Sequence, residues 1–361
     1  MSLGRKKGWI GIDLGPRTLT VAQAERVGSG ARVAASAVVH DPAGDSESLA
    51  PDAAPHPWQA QDVLAALSLD PGFSGRTVAC LLPMHVTDLS VLTVPPAREA
   101  ERRAMIAHEL SAAFPNDRHE REFDFWEAAA AATPDGAAKG NVNVLSVSRR
   151  VARRAVRSLS DAGLHCEVMD GLPFALARAV DMARGPDQRG PTGAVDWGCA
   201  SGTFCVVSEG RPQFTRHLRT CGFGRVVDRV RQALSLSESE ARQVLVDYGL
   251  PGPECPEGMH REIQGAIREV TAPLLSELAE ELRRTLAYVR MKYAALVPER
   301  LCLFGEGATV KHVAAAVSER IGLPAEVWRV PSSQSEGRGV SRELTPLLGT
   351  TVALSALAWV L

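Results

Sequence analysis

Apolar and polar positions along the chain fall into a pattern that is set out twice. Residues 9–14 are a near-continuous apolar run, 18–25 alternate, and 32–39 are rich in small and β-branched side chains, so the opening forty residues predict three successive strands. The same trio is predicted near the middle of the chain, over 194–197, 203–208 and 213–218. Between the trios the pattern predicts a loop over 41–58, a helix over 59–69 and strands over 76–82 and 88–94. A charged helix over 97–113 follows, opened by Pro95-Pro96 and stopped by Pro115, then an alternating strand over 121–128 and a turn over 136–143. A strand over 144–147, a helix over 149–162, a strand over 164–169 and a helix over 171–183 complete a β-α-β-α unit. Beyond the second trio, apolar residues at steps of three and four from Ile263 to Tyr293 predict a long helix over 260–296, which Pro273 is expected to kink or restart. A strand over 301–304, a helix after Gly307, a strand over 325–330 and a closing helix over 350–361 end the chain.

A repeat of this length in 361 residues predicts two lobes, because a single core stops growing at roughly 250–300 residues. The Gly- and Pro-rich stretch 185–193 is the natural boundary, giving a first lobe over 1–190 and a second over 191–361.

The repeat also carries the candidate chemistry. Each trio opens with an apolar strand ending in Asp-x-Gly and followed by a hydroxyl residue: Asp13, Gly15 and Thr18 in the first half, and Asp196, Gly198, Gly202 and Thr203 in the second. Glycine permits positive φ and leaves backbone N–H groups open to a phosphate, and the hydroxyl adds a donor. The two carboxylates suit a hydrated Mg²⁺, which favours oxygen ligands. Taken singly, either Asp-x-Gly reads as ordinary turn chemistry. Two copies half a chain apart favour a pair of hairpins clamping a polyphosphate. A third element, Gly305-Glu306-Gly307-Ala308, is either a strand–helix connection or a turn against which a flat base or ribose rests, with N–H groups exposed at a helix start. The chain has neither a G-x-x-x-x-G-K-[ST] loop nor a G-x-G-x-x-G fingerprint, and 198–202 lacks the register of a nucleophile elbow.

Composition narrows the field. The net charge of −2 argues against nucleic acid as the main partner, and the five arginines at 149, 150, 153, 154 and 157 read as a solvated helix face. Seven scattered cysteines without a C-x-x-C pair suit a reducing compartment and offer no zinc site. No stretch approaches a membrane span, and Asp13 arrives too soon after the basic start for a signal-peptide core, so a cytoplasmic protein is expected.

In this order, Asp13/Gly15, Asp196/Gly198 and Gly305/Gly307 resemble the phosphate and adenosine turns of the actin, sugar-kinase and heat-shock chaperone superfamily. A finer series resembles the PilM family of type IV pilus assembly proteins, related to FtsA. It runs from Arg98-Glu99-Ala100-Glu101 through His108-Glu109-Leu110 and Phe114-Pro115 to Asp124. It continues with Ala162-Gly163-Leu164, Val168-Met169-Asp170, Gly210-Arg211-Pro212 and the helix over 277–288. FtsA and the cytoplasmic domain of the secretion protein GspL are the nearest alternatives. The resemblance implies an actin-like α/β fold, each lobe an RNase H-like mixed sheet with flanking helices, and a small subdomain over about 84–146 inserted in the first lobe. It implies ATP or ADP with Mg²⁺ between the lobes, held by Asp13, Gly15, Arg17, Thr18, Asp196, Gly198, Gly202, Thr203, Gly305, Gly307 and Ala308, with Asp13 and Asp196 reaching Mg²⁺ through water. As partner it implies the N-terminal tail of a PilN-like membrane protein, with self-association as a further option and a peripheral place at the inner membrane. The tail is expected on the inserted subdomain, with Met105, Ile106 and Leu110 offered to it. Pro16 and Arg17 stand where the family has small hydroxyl residues, and Asp170 is the only carboxylate in the connecting segment 170–176. Little or no hydrolysis is therefore expected, and the alternative function is that of a small-molecule kinase or active ATPase.

Overall fold

The computed structural model describes residues 6–28, 30–41, 58–82, 84–115, 121–127, 141–185, 188–252, 258–330 and 344–361. Most of the expected loop over 41–58 and residues 136–140 of the expected turn over 136–143 lie outside the described residues; 141–143 are not turn but the start of a strand.

The first trio forms β1 (Lys7–Leu14), β2 (Thr18–Val27) and β3 (Gly30–His40). Helix α1 (Ala60–Ser68) and strand β4 (Thr77–Leu82) follow. A three-residue helical turn, Met84–Val86, leads into β5 (Thr87–Thr93), α2 (Glu99–Ala113), β6 (Arg121–Glu127) and β7 (Asn141–Ser148). The lobe then continues through α3 (Arg149–Asp161), β8 (His165–Gly171) and α4 (Leu172–Ala183). The second half runs β9 (Thr192–Trp197), β10 (Gly202–Ser208), β11 (Arg211–Leu218), α5 (Gly224–Leu234), α6 (Glu238–Asp247) and α7 (Met259–Lys292). It closes with β12 (Arg300–Phe304), α8 (Val313–Ile321), β13 (Ala325–Val327) and α9 (Thr345–Ser355).

The halves build the same sheet. One is ordered β3-β2-β1-β4-β8 and the other β11-β10-β9-β12-β13. In each, the hairpin-linked strands pair antiparallel and the later crossovers pair parallel. On the outer face of the first sheet, α1 and α3 cover a core that includes Ile12, Val21, Val63, Ala66 and Leu159. The second sheet is covered by α5, α6, α7 and α8. The inner layer belongs to both halves: α4 and α9 lie between the sheets in one shared core with Ala22, Leu81, Phe304 and Trp328.

The helices of that inner layer are exchanged. Helix α4, from the first half, packs on β9, β10 and β11, and Trp328 donates its indole N–H to the Ala179 carbonyl at 2.7 Å. Helix α9, from the end of the chain, packs on β1, β2 and β4. It comes so close that a Cβ at Gly11 would sit 2.0 Å from the Thr351 carbonyl oxygen and one at Gly8 would sit 2.2 Å from that of Ser355. Only glycine leaves room for this approach. The Ser355 hydroxyl accepts the Ala24 N–H at 2.8 Å and donates to the Trp9 carbonyl, fastening the chain's last helix to its first hairpin.

Three expectations change. The long helix is not restarted at Pro273 but continues from Met259 to Lys292 with the proline inside it, because its packed face outweighs one lost backbone bond. The closing helix starts at Thr345, five residues before the expected position, and ends at Ser355. The third concerns α2, which does not offer its apolar side chains outward. Ile106 and Leu110 are buried with Val94, Val142 and Val144 against the three-stranded sheet β5-β7-β6, and Met105 packs on the same cluster. With Leu92, Phe114, Phe123 and Phe125 packed on the same cluster, these side chains form the core of the inserted subdomain.

Candidate functional site

Both hairpins and the Gly305 turn converge on one cleft. Asp13, Gly15, Pro16 and Thr18 line it from the first lobe, Asp196, Gly198, Cys199, Ala200, Ser201 and Thr203 from the second, and Gly305 and Glu306 from the turn. Thr20, Leu81, Met84, His85, Leu172, Pro346, Leu347 and Thr350 complete the lining, and the cleft is open to solvent.

Each hairpin is fixed from outside. The Trp58 indole donates to the Gly15 carbonyl at 2.6 Å. The start of α5 donates two backbone N–H groups, from Phe223 to Gly198 and from Gly224 to Cys199, each at 2.9 Å. Neither Gly15 nor Gly198 adopts positive φ; Gly15 is required by space, since a Cβ there would lie 2.6 Å from the Thr18 carbonyl oxygen. Gly305 does have φ of +80°, and a Cβ on it would press on Asp196 Oδ1 at 2.6 Å.

The charges in the cleft are unbalanced. Asp13 Oδ1 is removed from solvent and meets no partner among the described residues. Burial, then the charges of Asp196 and Glu306, push the Asp13 carboxyl up to about 8. Burial and Glu306 push Asp196 up to about 7. A buried carboxylate without a donor costs free energy unless a cation or proton meets it. The pair therefore fits a hydrated cation. No three ligands converge for direct coordination among the described residues, so such an ion would be shared with phosphate oxygens and water.

Glu306 ties the lobes together. It accepts the Thr18 hydroxyl from across the cleft and pairs with Arg242 of α6. Arg242 also holds Glu238 at 2.8 Å, and Glu238 reaches back to Arg17 at 3.3 Å. On the same lining, the Ser201 hydroxyl and His217 Nε2 are 2.7 Å apart. Burial, then His217, pushes His85 down to about 4, leaving it neutral.

Of the residues expected from the sequence, Asp13, Gly15, Thr18, Asp196, Gly198, Thr203 and Gly305 are brought together on this lining. Arg17 turns away to Glu238. Gly202 is a buried member of β10, Gly307 packs beneath the Trp197 indole, where a Cβ would come within 2.2 Å, and Ala308 lies in the second-lobe core. Asp170 does not line the cleft: one oxygen accepts the Gly171 N–H at 2.8 Å and the other pairs with Arg178. Sequence reasoning missed Glu238 and Arg242. Their signal was present, because Ser237-x-x-Glu240 is a capping box that starts a helix and places 238 and 242 on one face. Nothing local marks His85, which reaches the lining through topology, or His217, which meets Ser201 of that lining.

No family model and no curated protein sequence matches the chain. Among solved structures, the PilM-PilN type IV pilus biogenesis complex contains a chain 22% identical, with a TM-score of 0.72 over 97% of this chain and 98% of that one. Ethanolamine utilization protein EutJ from Carboxydothermus hydrogenoformans is 16% identical with a TM-score of 0.54, over 98% of this chain and 91% of its own. The MamK double helical filament is 12% identical with a TM-score of 0.50, over 97% and 98%. Together with the duplicated mixed sheets and the cleft between them, these likenesses establish a two-lobe, actin-like α/β fold.

Proposed function

We propose that the chain is a nucleotide-binding scaffold of type IV pilus or related secretion machinery, whose partner is the N-terminal tail of a PilN-like inner-membrane protein. The likeness to the chain in the PilM-PilN complex carries this reading. Coverage of 97% at a TM-score of 0.72 takes in the inserted subdomain, and we assign the partner site to it. In the subdomain the outer edges of β5 and β6 pair with no other described strand, so an extended peptide adds there as a strand. Such a partner places the protein at the membrane without a span of its own, and no described helix is long and apolar enough to cross one.

ATP or ADP with Mg²⁺ fits the cleft. Gly15 and Gly198 keep side chains out of the hairpin turns, Thr203 offers a hydroxyl, Thr18 offers its own only by leaving Glu306, and Asp13 and Asp196 would hold the hydrated ion. Bound nucleotide then stabilises one arrangement of the lobes by mass action. The kinase alternative needs a carboxylate base near the phosphates, and Asp170 is engaged by Arg178 instead.

The test is calorimetric titration of the full chain with a peptide copying the tail of a PilN-like protein, and separately with Mg-ATP. Saturable peptide binding that is lost when residues 84–146 are replaced by a short linker in a still-folded protein supports the scaffold; peptide binding that survives the replacement removes the site assignment. Asp13→Ala should weaken Mg-ATP binding by about 1–3 kcal/mol.

A further inference from the structure

Helix α3 carries Arg150, Arg153, Arg154 and Arg157, all exposed. Their spacing puts them on one stripe, about 10 Å long at the rise of an α-helix. Arg149 is paired, with Glu122 at 2.7 Å, but none of the other four has an ion-pair partner among the described residues. The helix has no acid before Asp161 at its far end.

This arrangement works against the helix. Arg149 and Arg150 stand in the first turn, where the helix dipole disfavours cations; Glu122 offsets Arg149 from the neighbouring strand, but no acid in that turn offsets Arg150. Arg150 lies three and four positions from Arg153 and Arg154, and Arg157 lies four and three beyond those, so like charges meet at four helical spacings. Other exposed helices of this protein interleave signs instead. In α7, Arg283 and Arg284 meet Glu280 and Glu281, and in α2, Arg102 and Arg103 meet Glu127 and Asp124. The α3 stripe therefore departs from the way this chain builds an ordinary solvated face.

Beside it, α1 shares buried Val63 and Ala66 with Leu159 and Ala162 of the α3 region. Its outward residues, Gln61, Leu64, Ala65 and Ser68, carry no charge, and neither does Leu69 that follows. Leu64 is 49% exposed and Leu69 65%, with Val156 of α3 at 39%. The outermost layer of the first lobe thus combines unpaired guanidinium groups with bare aliphatic side chains.

We infer that this α1/α3 layer is a docking surface for an anionic phospholipid bilayer. Arginines meet lipid phosphates at headgroup level, and the aliphatic side chains reach the interface just below. A nucleic-acid backbone would satisfy the arginines and leave Leu64 and Leu69 in water. Each arginine near an anionic bilayer is worth roughly fivefold in partition, so four give a preference over a neutral bilayer of several hundred-fold, weakened by salt. The surface is independent of the cleft and of any bound nucleotide, and it would give a scaffold held by a membrane protein a second, direct contact with the bilayer.

The test is sedimentation of the full chain with vesicles of phosphatidylcholine alone or with one third phosphatidylglycerol, at low salt and at about 0.5 M salt. Binding is expected only to the anionic vesicles, with release at high salt. The double variant Arg153→Glu/Arg154→Glu should lose tenfold or more of that binding with melting unchanged or raised, because four like-charge spacings become opposite-charge ones, and Leu64→Ser should lose a smaller share with unchanged melting. Equal partition onto neutral vesicles, no anionic binding at low salt, or undiminished binding by the double variant would overturn the proposal. So would tighter capture by the same arginines of a single-stranded RNA oligonucleotide or a polyglutamate peptide.

Discussion

Glu306→Gln should lower the stability of the nucleotide-free protein and raise its affinity for nucleotide. The substitution keeps the shape and an acceptor for Thr18 but removes the charge. The Glu306 side chain is 7% exposed and Arg242 is 13% exposed, so their pairing is a charge-assisted contact away from bulk water, of a kind worth about 1.5–3 kcal/mol. Arg242 keeps Glu238 at 2.8 Å, so the loss stays below the 3–5 kcal/mol typical of orphaning a buried charge. Relief of repulsion against Asp13 and Asp196 returns part of it, leaving about 1–2 kcal/mol. At an unfolding entropy of about 2.1 cal/mol/K per residue, that is a fall of about 2 °C in the melting temperature if the lobes unfold together. For the nucleotide the sign reverses. A carboxylate at roughly 7 Å from a phosphate charge, in an effective dielectric of about 20, opposes binding by about 2 kcal/mol before screening, so affinity should rise about tenfold. Scanning calorimetry without ligand and titration calorimetry with ADP, in the absence and presence of Mg²⁺, read the two effects. General damage to the fold would lower both quantities. An unchanged melting temperature with unchanged or weaker nucleotide binding would refute the role given to Glu306.

Three further outcomes are expected. Between about pH 6.5 and 8.5 the nucleotide-free protein should lose stability as pH rises: unfolded aspartates are ionised throughout, while Asp196 and Asp13 keep their protons in the folded state up to about 7 and about 8. The folded state therefore binds more protons, stability falls through those values by a few kcal/mol, and melting temperatures that stay flat across the window would contradict it. Gly305→Ala should destabilise by about 1–3 kcal/mol, because it adds strain at φ of +80° to a clash with Asp196; denaturant unfolding measures this, and a neutral result would show that the turn relaxes. Steady-state phosphate release from Mg-ATP should stay well below roughly 1 s⁻¹, and Asp170→Ala should change stability more than turnover because Asp170 is bound to Arg178.

Much of the fold was legible because both halves state their pattern locally. An apolar run, a hairpin glycine and an alternating strand specify a three-strand opening wherever they occur, and the duplicated order of the two sheets follows from that repetition. The two Asp-x-Gly hairpins were legible for the same reason. What was hidden depends on distance in sequence. The small and apolar pattern of 345–355 shows a buried helix, yet nothing in it shows that α9 crosses to β1, β2 and β4. Met105, Ile106 and Leu110 read equally as a docking ridge or as the core of a small sheet until β6 and β7 are placed beneath them. Glu306 interrupts a glycine-rich turn, and only the fold shows that it faces Thr18 across the cleft.

Trp126 joins the inserted subdomain to the rest of the molecule and is the contact through which lobe movement would be transmitted to it. The subdomain is rooted at the cleft, because Met84 and His85 line it and β5 begins at Thr87. Its far strand reaches the second half of the molecule: the Trp126 indole donates to the Pro212 carbonyl on β11 at 3.0 Å and meets the Phe174 ring of α4 edge-on at 4.8 Å. Leu172, at the start of that helix, lines the cleft. A change in the angle between the lobes would move both attachments of the subdomain, and a peptide bound as proposed on β5 or β6 would feel it. The hydrogen bond and the aromatic contact are together worth about 1–3 kcal/mol, which bounds the coupling they can transmit. Linkage requires that nucleotide change tail-peptide affinity by the same factor as peptide changes nucleotide affinity. Titrating the peptide with and without saturating Mg-ATP measures that factor. Trp126→Ala should bring it to about one while leaving each separate affinity nearly intact. A factor that survives the substitution would mean that the signal passes through Met84 and His85 instead.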